Sequence, residues 1–359
     1  MKPTDTNTTP PIYYYANQVY QLSYALPLYK KASGVFVARD VKRFYHLKKH
    51  FKNFNHSSDK KTFLNTPPIH FMGRKKLRDI EGVIIFMSNA PAIVEQNLAA
   101  KTIFVGHGTG DKPYLVAKSK LENFDYHFVS GPKYEAILKD SGINIPADKL
   151  IKTGNLRFDD YLNGHLKQDH ELDRLGVVDK ERKTVLYAPT WKWGDGTLLK
   201  YGHRFAREIT QKFNLIIRPH HQDTKHIRKI KNWAKANKIN HLYFSNPSNL
   251  VTSDTMQDFA ASDIMISDTS SVLYEYLVTK QPIIVIKNNY KKLHNMPVEM
   301  DIMQHVPIFS EGDNIVKMLD GALEDAAYHT KLENLLSACF FFNDGKSVER
   351  ALNFIKSIR

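Results

Sequence analysis

The stretch 261-ASDIMISDTSSVLYEYLVTKQPIIVI-286 sets the architecture. It opens on a short apolar run, Ile264-Met265-Ile266, and closes on a second, Ile283 to Ile286. Between them lies a polar turn, Ser267-Asp268-Thr269-Ser270-Ser271, and then a segment from Val272 to Thr279. In that segment Val272, Leu273, Tyr276 and Leu277 fall on one helical stripe, and Pro282 stops it. The unit reads as strand, helix, strand, which demands a parallel sheet. Free amides at the helix start, beside the hydroxyls of Thr269, Ser270 and Ser271, suit phosphate oxygens. The same hydroxyls also suit plain helix capping, and the turn alone does not separate the two.

Working outward, the pattern repeats. Apolar runs at Gly34–Ala38, Val83–Met87, Thr102–Val105, His127–Val129 and Leu150–Lys152 precede a polar interval, 163–183. Further runs follow at Thr184–Ala188, Asn214–Arg218 and Leu242–Phe244, with helical stretches at 90–100, 203–213 and 226–238 between runs. The tyrosine-rich segment 12–28 reads as a helix or as a strand plus helix ending near Pro27. Apolar strands alternating with helices indicate parallel sheets covered on both faces. With 359 residues, 42% of them hydrophobic, the chain suits two α/β domains. We expect a disordered leader over 1–11, a first Rossmann-like domain over 12–170, a second over 171–345, and a C-terminal helix over 346–359 that crosses back. Ligands then belong in the cleft at the strand carboxyl ends.

A formal charge of +14 calls for an anionic partner: nucleic acid, membrane surface or phosphorylated substrate. Helix 41–54 sets Lys42, Arg43, Lys48, Lys49 and Lys52 opposite an apolar face, either as a solvated surface or as a contact for an anionic membrane or polymer. Neither an RRM signature nor zinc-finger spacing is present, so nucleic acid is not expected. The single cysteine, Cys339, excludes a disulfide framework and fits a reducing, cytoplasmic compartment; its apolar run suits an inert buried thiol. No signal peptide and no run long enough to span a bilayer are read.

Polar clusters end several strands. Gly106-His107-Gly108-Thr109-Gly110-Asp111-Lys112 carries, in His107, a side chain suited to proton transfer near neutrality. Arg157 in Gly154-Asn155-Leu156-Arg157-Phe158-Asp159 can pair with phosphate or bridge to Asp159. In Arg218-Pro219-His220-His221, an extended chain would send the two histidines to opposite faces, leaving one for a ligand and arguing against a metal site.

Taken together, His107-Gly108-Thr109 with Lys112, the 154–159 segment, Tyr187-Ala188-Pro189-Thr190-Trp191, Arg218-Pro219-His220 and Asp268-Thr269-Ser270-Ser271-Val272 resemble, in order and spacing, the motifs of the CDP-glycerol glycerophosphotransferase family. These are the teichoic-acid and capsule enzymes of GT-B architecture, and the resemblance covers roughly residues 80 to 345. Gly110, Asp111, His221, Thr269 and Glu275 depart from the family pattern.

The resemblance implies a GT-B-like α/β fold, with two Rossmann-like parallel-sheet domains facing a central cleft. It implies transfer of a polyol phosphate from a CDP-activated donor to a glycan or lipid-linked acceptor, releasing CMP, with His107 as base and no cofactor or metal. The substrate-binding set it implies is Lys112, Asn155, Arg157, Thr190, Arg218, His220, Asp268, Thr269, Ser270, Ser271 and Glu275. Asp268 is expected to hold the turn, and Glu275 to accept from ribose hydroxyls or to be an ordinary helix carboxylate. Such an enzyme would work in the cytoplasm at the inner face of the cell membrane, in peripheral contact with it. The nearest alternative is a GT-B glycosyltransferase using a nucleotide sugar.

Overall fold

The computed structural model describes residues 11–15, 18, 21–52, 67–72, 77–88, 98–106, 108–113, 120–192, 195–247, 254–289 and 293–358. Two parallel sheets organise them. The first contains β1 (Ile12–Tyr15), β2 (Val35–Ala38), β3 (Ile69–Phe71), β4 (Val83–Phe86), β5 (Lys101–Phe104), β6 (Tyr126–Val129) and β7 (Leu150–Lys152), in the order β3-β2-β1-β4-β5-β6-β7. The second contains β8 (Thr184–Tyr187), β9 (Asn214–Ile217), β10 (Leu242–Phe244), β11 (Ile264–Ser267), β12 (Ile283–Ile286) and β13 (Ile308–Phe309), in the order β10-β9-β8-β11-β12-β13. Each order reverses direction once, at β1/β4 and at β8/β11. Such a reversal parts the flanking loops and opens a crevice at the strand carboxyl ends.

In the second sheet β8, β9, β11 and β12 are buried along their whole length because both faces are covered. Along the second sheet Val185, Tyr187, Ile264 and Ile266 enter one core, while Leu186, Met265, Ile283 and Val285 enter the other. Strand alternation sends successive side chains to opposite sides, so in these four strands polar residues stand only at the ends. The quoted stretch forms the βαβ unit its pattern implied: β11 pairs β12 in parallel, with Met265 opposite Ile283, across the helix Val272–Tyr276 and a 3₁₀ turn Leu277–Thr279.

Some boundaries differ from the sequence reading. The helix Leu22–Ala32 runs through Pro27 instead of ending there. Leu22, Ala25, Leu26 and Leu28 on it are buried, and that burial offsets the ~3 kcal/mol an internal proline costs. The 163–183 interval is not a bare linker: it carries the helix Gln168–Leu175, whose Leu172 joins Val177 in the core beneath the second sheet. Most of the helical stretch expected over 90–100, residues 53–54 of the basic helix and the leader to residue 10 lie outside the described residues.

The last helix, Ser347–Ser357, packs Val348, Ala351 and Ile355 into the core that holds Leu22, Ala25 and Leu26 beside the first sheet. Asp159 accepts from the amides of Ser347 at 3.0 Å and Val348 at 2.8 Å, so its carboxylate holds the start of this helix.

Candidate active site

A cleft of about 500 Å³ opens between the two sheets, rimmed by loops that leave β5, β8, β9 and β11. Its floor on the second-sheet side lies at the β8/β11 reversal. There Asp268, fully buried, accepts from the amides of Thr190 at 2.8 Å and Thr197 at 3.0 Å and from the Thr197 hydroxyl at 2.9 Å. Burial pushes this carboxyl up to about 6, against the pull of those donors and of Lys112. Asp268 therefore joins the two loops that leave β8 and β11, and no cleft role is required of it.

Beyond Asp268 the turn presents its hydroxyls. Ser271 occupies the capping position of helix Val272–Tyr276 but makes no side-chain capping bond. The helix's own bonded amides begin at Leu273, and among the described residues those of Ser271 and Val272 have no backbone partner where these residues line the cleft. That arrangement offers two N–H groups and the Ser271 hydroxyl to an anion. Thr269 is engaged differently, its hydroxyl accepting from the Asn288 amide. A side chain added at Gly110 would meet the Ser271 Cα at 2.9 Å, and one at Gly108 the Ser271 hydroxyl at 2.9 Å. Both glycines are needed for the loop after β5 to lie this close to the turn.

His220 lines the same cleft, and its ring packs against Trp191 with centroids 5.8 Å apart. Its Nδ1 faces the Gln222 amide at 3.3 Å as acceptor, which assigns the proton of the neutral ring to Nε2. Burial, then His221 and Lys112, lower its pKa to about 3, so at neutral pH His220 is an uncharged N–H donor. Lys112 reaches across from the β5 loop to the Thr190 hydroxyl at 3.1 Å, and burial lowers its pKa to about 8. Contrary to the extended-chain expectation, His220 and His221 both line the cleft, with ring centroids 4.1 Å apart. The reason is local: β9 ends at Ile217 and the chain after Arg218 turns.

Three arginine and carboxylate assignments need correction. Arg157 lines the cleft but does not bridge to Asp159. It is buried, paired with Glu275 through Nη1 and with Asp254 through Nη2 at 2.9 Å, and stacked on the Tyr24 ring at 4.6 Å. Glu275 accepts from Arg157 on one oxygen and from the Tyr24 hydroxyl at 2.6 Å on the other. With 1% exposure it joins the two halves of the molecule; neither oxygen is left for ribose alone. Arg218 lines the cleft, but its Nη1 is held by Ser245 at 2.8 Å and by the buried carboxylate of Asp258. It anchors the end of β9.

Asn155 caps the turn Leu156–Phe158 by accepting from the Arg157 amide at 3.1 Å. It faces a smaller cavity beside the main one. His107 lies outside the described residues, between Gly106 and Gly108, which both hold positive φ, 73° and 101°.

Sequence reasoning missed Tyr24, Asp254 and Asp258, partners reached only through the fold. It also missed a second junction: Asp111 accepts from the fully buried Lys133 and, at 2.7 Å, from the Tyr274 hydroxyl, with the Lys133 ammonium 3.8 Å over the Tyr274 ring. The departure of Asp111 from the family pattern was its only signal. Among the described residues no three His, Cys, Asp or Glu side chains cluster as a metal site.

Two doubly wound parallel sheets facing one another across a cleft of this construction define the GT-B class. Residues 83–357 match the model of the CDP-Glycerol:Poly(glycerophosphate) glycerophosphotransferase family, and the chain belongs to that family. It is 27% identical over 219 residues to the teichoic acid ribitol-phosphate polymerase TarK of Staphylococcus aureus, a match covering 57% of this chain and 40% of the relative. To TarL of the same organism, also a teichoic acid ribitol-phosphate polymerase, it is 29% identical over 220 residues, covering 57% and 37%. The match thus spans well under half the length of these curated relatives.

In fold the chain is similar to the wall teichoic acid polymerase TagF, with a TM-score of 0.67 at 14% identity, covering 98% of this chain and 90% of that one. It is likewise similar to a UDP-N-acetylglucosamine 2-epimerase of Listeria monocytogenes, with a TM-score of 0.62 at 15% identity, covering 98% and 96%.

Proposed function

We propose that the chain transfers a polyol phosphate, glycerol phosphate first, from a CDP-activated donor to an acceptor hydroxyl in the synthesis of a cell-surface polymer. The observation that carries this reading is the convergence, at the β8/β11 reversal, of the uncapped Ser271 turn, the neutral His220 and the cationic Lys112 on one cleft. All three suit a diphosphate: amides and hydroxyls for its oxygens, an N–H donor that costs no proton, and a charge.

In the step itself, an acceptor hydroxyl attacks the donor's β-phosphorus and gives its proton to His107. The bond to the bridging oxygen breaks, and CMP leaves with that oxygen. Ser270, Ser271, His220 and Lys112 stabilise the charge growing on the leaving phosphate. On this reading residues 12–170 serve the acceptor and residues 171–345 the donor.

The test is to incubate the protein with CDP-glycerol, CDP-ribitol and a panel of UDP- and GDP-sugars. CMP release with transfer of polyol phosphate is expected; turnover of a nucleotide sugar alone would replace this reading with a glycosyltransferase. His107→Ala should lower transfer by about 10²–10⁴-fold with nucleotide binding retained.

Peripheral contact with an anionic membrane at the inner face of the cell membrane belongs to the same proposal. On helix Val41–Lys52, Leu47 and Phe51 are buried, Lys42, Lys48 and Lys49 are exposed, and Val41 and Tyr45 stand out at 57% and 63% exposure near Phe71 at 50%. Cations flanking exposed apolar side chains suit a headgroup layer. Among the described residues no helix is long and apolar enough to cross a membrane. Flotation with anionic vesicles that is lost on reversing the three lysine charges is the expected result; equal flotation of both forms would refute it.

A further inference from the structure

Beside the main cleft, on the first-sheet side, lies a small annex of about 30 Å³ at the carboxyl ends of β5, β6 and β7. It shares Tyr24 and Gly108 with the cleft, so the two spaces adjoin. Its polar lining consists of hydroxyls and an amide: Thr109, Ser130, Thr153, Asn155, and the hydroxyls of Tyr24 and Tyr134. No Lys, Arg, Asp or Glu among the described residues lines it, whereas Lys112, Arg218 and Asp111 line the cleft.

One lining group is unsatisfied. Thr109 is 7% exposed, and its hydroxyl has no hydrogen-bond partner among the described residues. The neighbouring hydroxyls have partners: Thr153 donates to the Gly154 carbonyl at 3.0 Å, and Tyr134 meets His127 at 3.1 Å. A buried hydroxyl without a partner calls for an occupant that supplies one. At roughly 10–15 Å³ of such space per water-sized atom, the annex admits about two heavy atoms, the size of a hydroxymethyl group.

We propose that the annex binds a neutral hydroxymethyl or carbinol group of the acceptor polyol, held by the Thr109 hydroxyl, with its attacking hydroxyl left at the Gly108 junction of the two cavities. The site rests on the proposed function for its role but not for its chemistry. A phosphate does not fit, since among the described residues no cation lines the annex and desolvating an anion there would be unopposed. A nucleobase is too large. The division of charge then sorts the substrates: the anionic donor occupies the cleft, and the uncharged end of the acceptor enters the annex. His107 is the neighbour of Gly108 in the chain, and on the proposed function it is the group that takes the proton of the attacking hydroxyl.

The experiment has two arms. Saturation-transfer NMR with free glycerol and free ribitol, without nucleotide, reads polyol binding on the wild-type protein, Thr109→Val and Thr109→Ser. A signal on the wild type and on the serine variant, reduced at least about threefold on the valine variant, is expected. Kinetics with CDP-glycerol and a synthetic tri(glycerol phosphate) acceptor should then show the acceptor KM raised about three- to tenfold in Thr109→Val, with the CDP-glycerol KM unchanged.

Absence of any polyol signal on the wild type, or equal signals on wild type and Thr109→Val, overturns the site; the annex is then a water pocket. Should Thr109→Val not fold, Ser130→Ala carries the same two measurements. A wild-type protein that binds polyol at Thr109 but transfers nothing from a CDP donor refutes the proposed function and leaves the site standing.

Discussion

Replacing Glu275 by alanine separates a structural joint from a ligand contact. In the structure the carboxylate accepts from Tyr24 at 2.6 Å and from Arg157, both across the boundary between the two sheets. Removing one member of a buried pair costs about 3–5 kcal/mol, because the other charge is left in a dry setting. Asp254 stays on the other arm of Arg157 at 2.9 Å, which places the expected loss near the lower limit, at about 3 kcal/mol. For a cooperative unit of 150–250 residues each kcal/mol moves Tm by about 2–4 °C, so the shift should be roughly 6–12 °C by calorimetry.

Tyr24→Phe removes a hydrogen bond to a charged acceptor and should cost about 1.5–3 kcal/mol. The double variant should be less damaging than the sum by at least about 1 kcal/mol, because the tyrosine hydroxyl has nothing left to lose once the carboxylate is gone. A Glu275→Ala protein with a Tm within about 2 °C of wild type and a much weakened nucleotide affinity would refute this reasoning. It would restore Glu275 to the ribose.

Three other outcomes follow. His220 and Asp268 give stability opposite slopes in acid. The His220 ring protonates near 3 when folded and near its ordinary 6.5 when unfolded, so its contribution is lost as pH falls through that window. Asp268 protonates near 6 when folded and near 3.8 when unfolded, so its contribution is lost as pH rises between those values; urea titrations should show Asp268→Asn steepening the acid loss and His220→Asn flattening it.

Lys112, with its pKa lowered to about 8 by burial, should lose its charge as pH rises past 8 in the free protein. Binding of CDP-glycerol should weaken above that pH, and Lys112→Met should bind about tenfold less tightly at pH 7 and show no such alkaline limb by calorimetric titration. Gly110→Ala brings a methyl to 2.9 Å from the Ser271 Cα, a backbone atom that cannot turn aside. It should cost about 1–3 kcal/mol and lower donor affinity, whereas unchanged melting and binding would mean the two loops are not in contact in solution.

The sheets were legible because their strands are buried on both faces: Val185, Leu186 and Tyr187 each enter a core, so the run is apolar without alternation and cannot be mistaken for a surface strand. Strand β13, two residues long, carries too few side chains for such a signal, and in β3 the exposed His70 and Phe71 break the buried pattern. Pro27 misled because a local rule yielded to packing that only the folded chain supplies.

Ser271, His220 and Lys112 line the cleft, where strand-end position and the resemblance put them. Arg157 and Arg218 line it too, but their partners were not legible. Asp254 lies 97 residues from Arg157, and Asp258 lies 40 residues from Arg218; nothing local in a sequence marks which carboxylate will neutralise an arginine. The side-by-side histidines failed for a different reason, since strand alternation stops where the strand does.

Tyr274 and Glu275 are adjacent residues on one short helix, yet each reaches a different part of the first half: Tyr274 to Asp111, Glu275 to Tyr24 and Arg157. One helical position apart is a rotation of about 100°, so the two bonds diverge, and the contact of Gly110 with Ser271 supplies a third point. Three non-collinear points fix a plane. For anyone building chimaeras from such chains, the exchangeable unit is therefore not either half: residues 108–112 and 268–275, with Tyr24, Lys133 and Arg157, would have to travel as one block, or the hybrid would assemble both sheets and misalign the space between them.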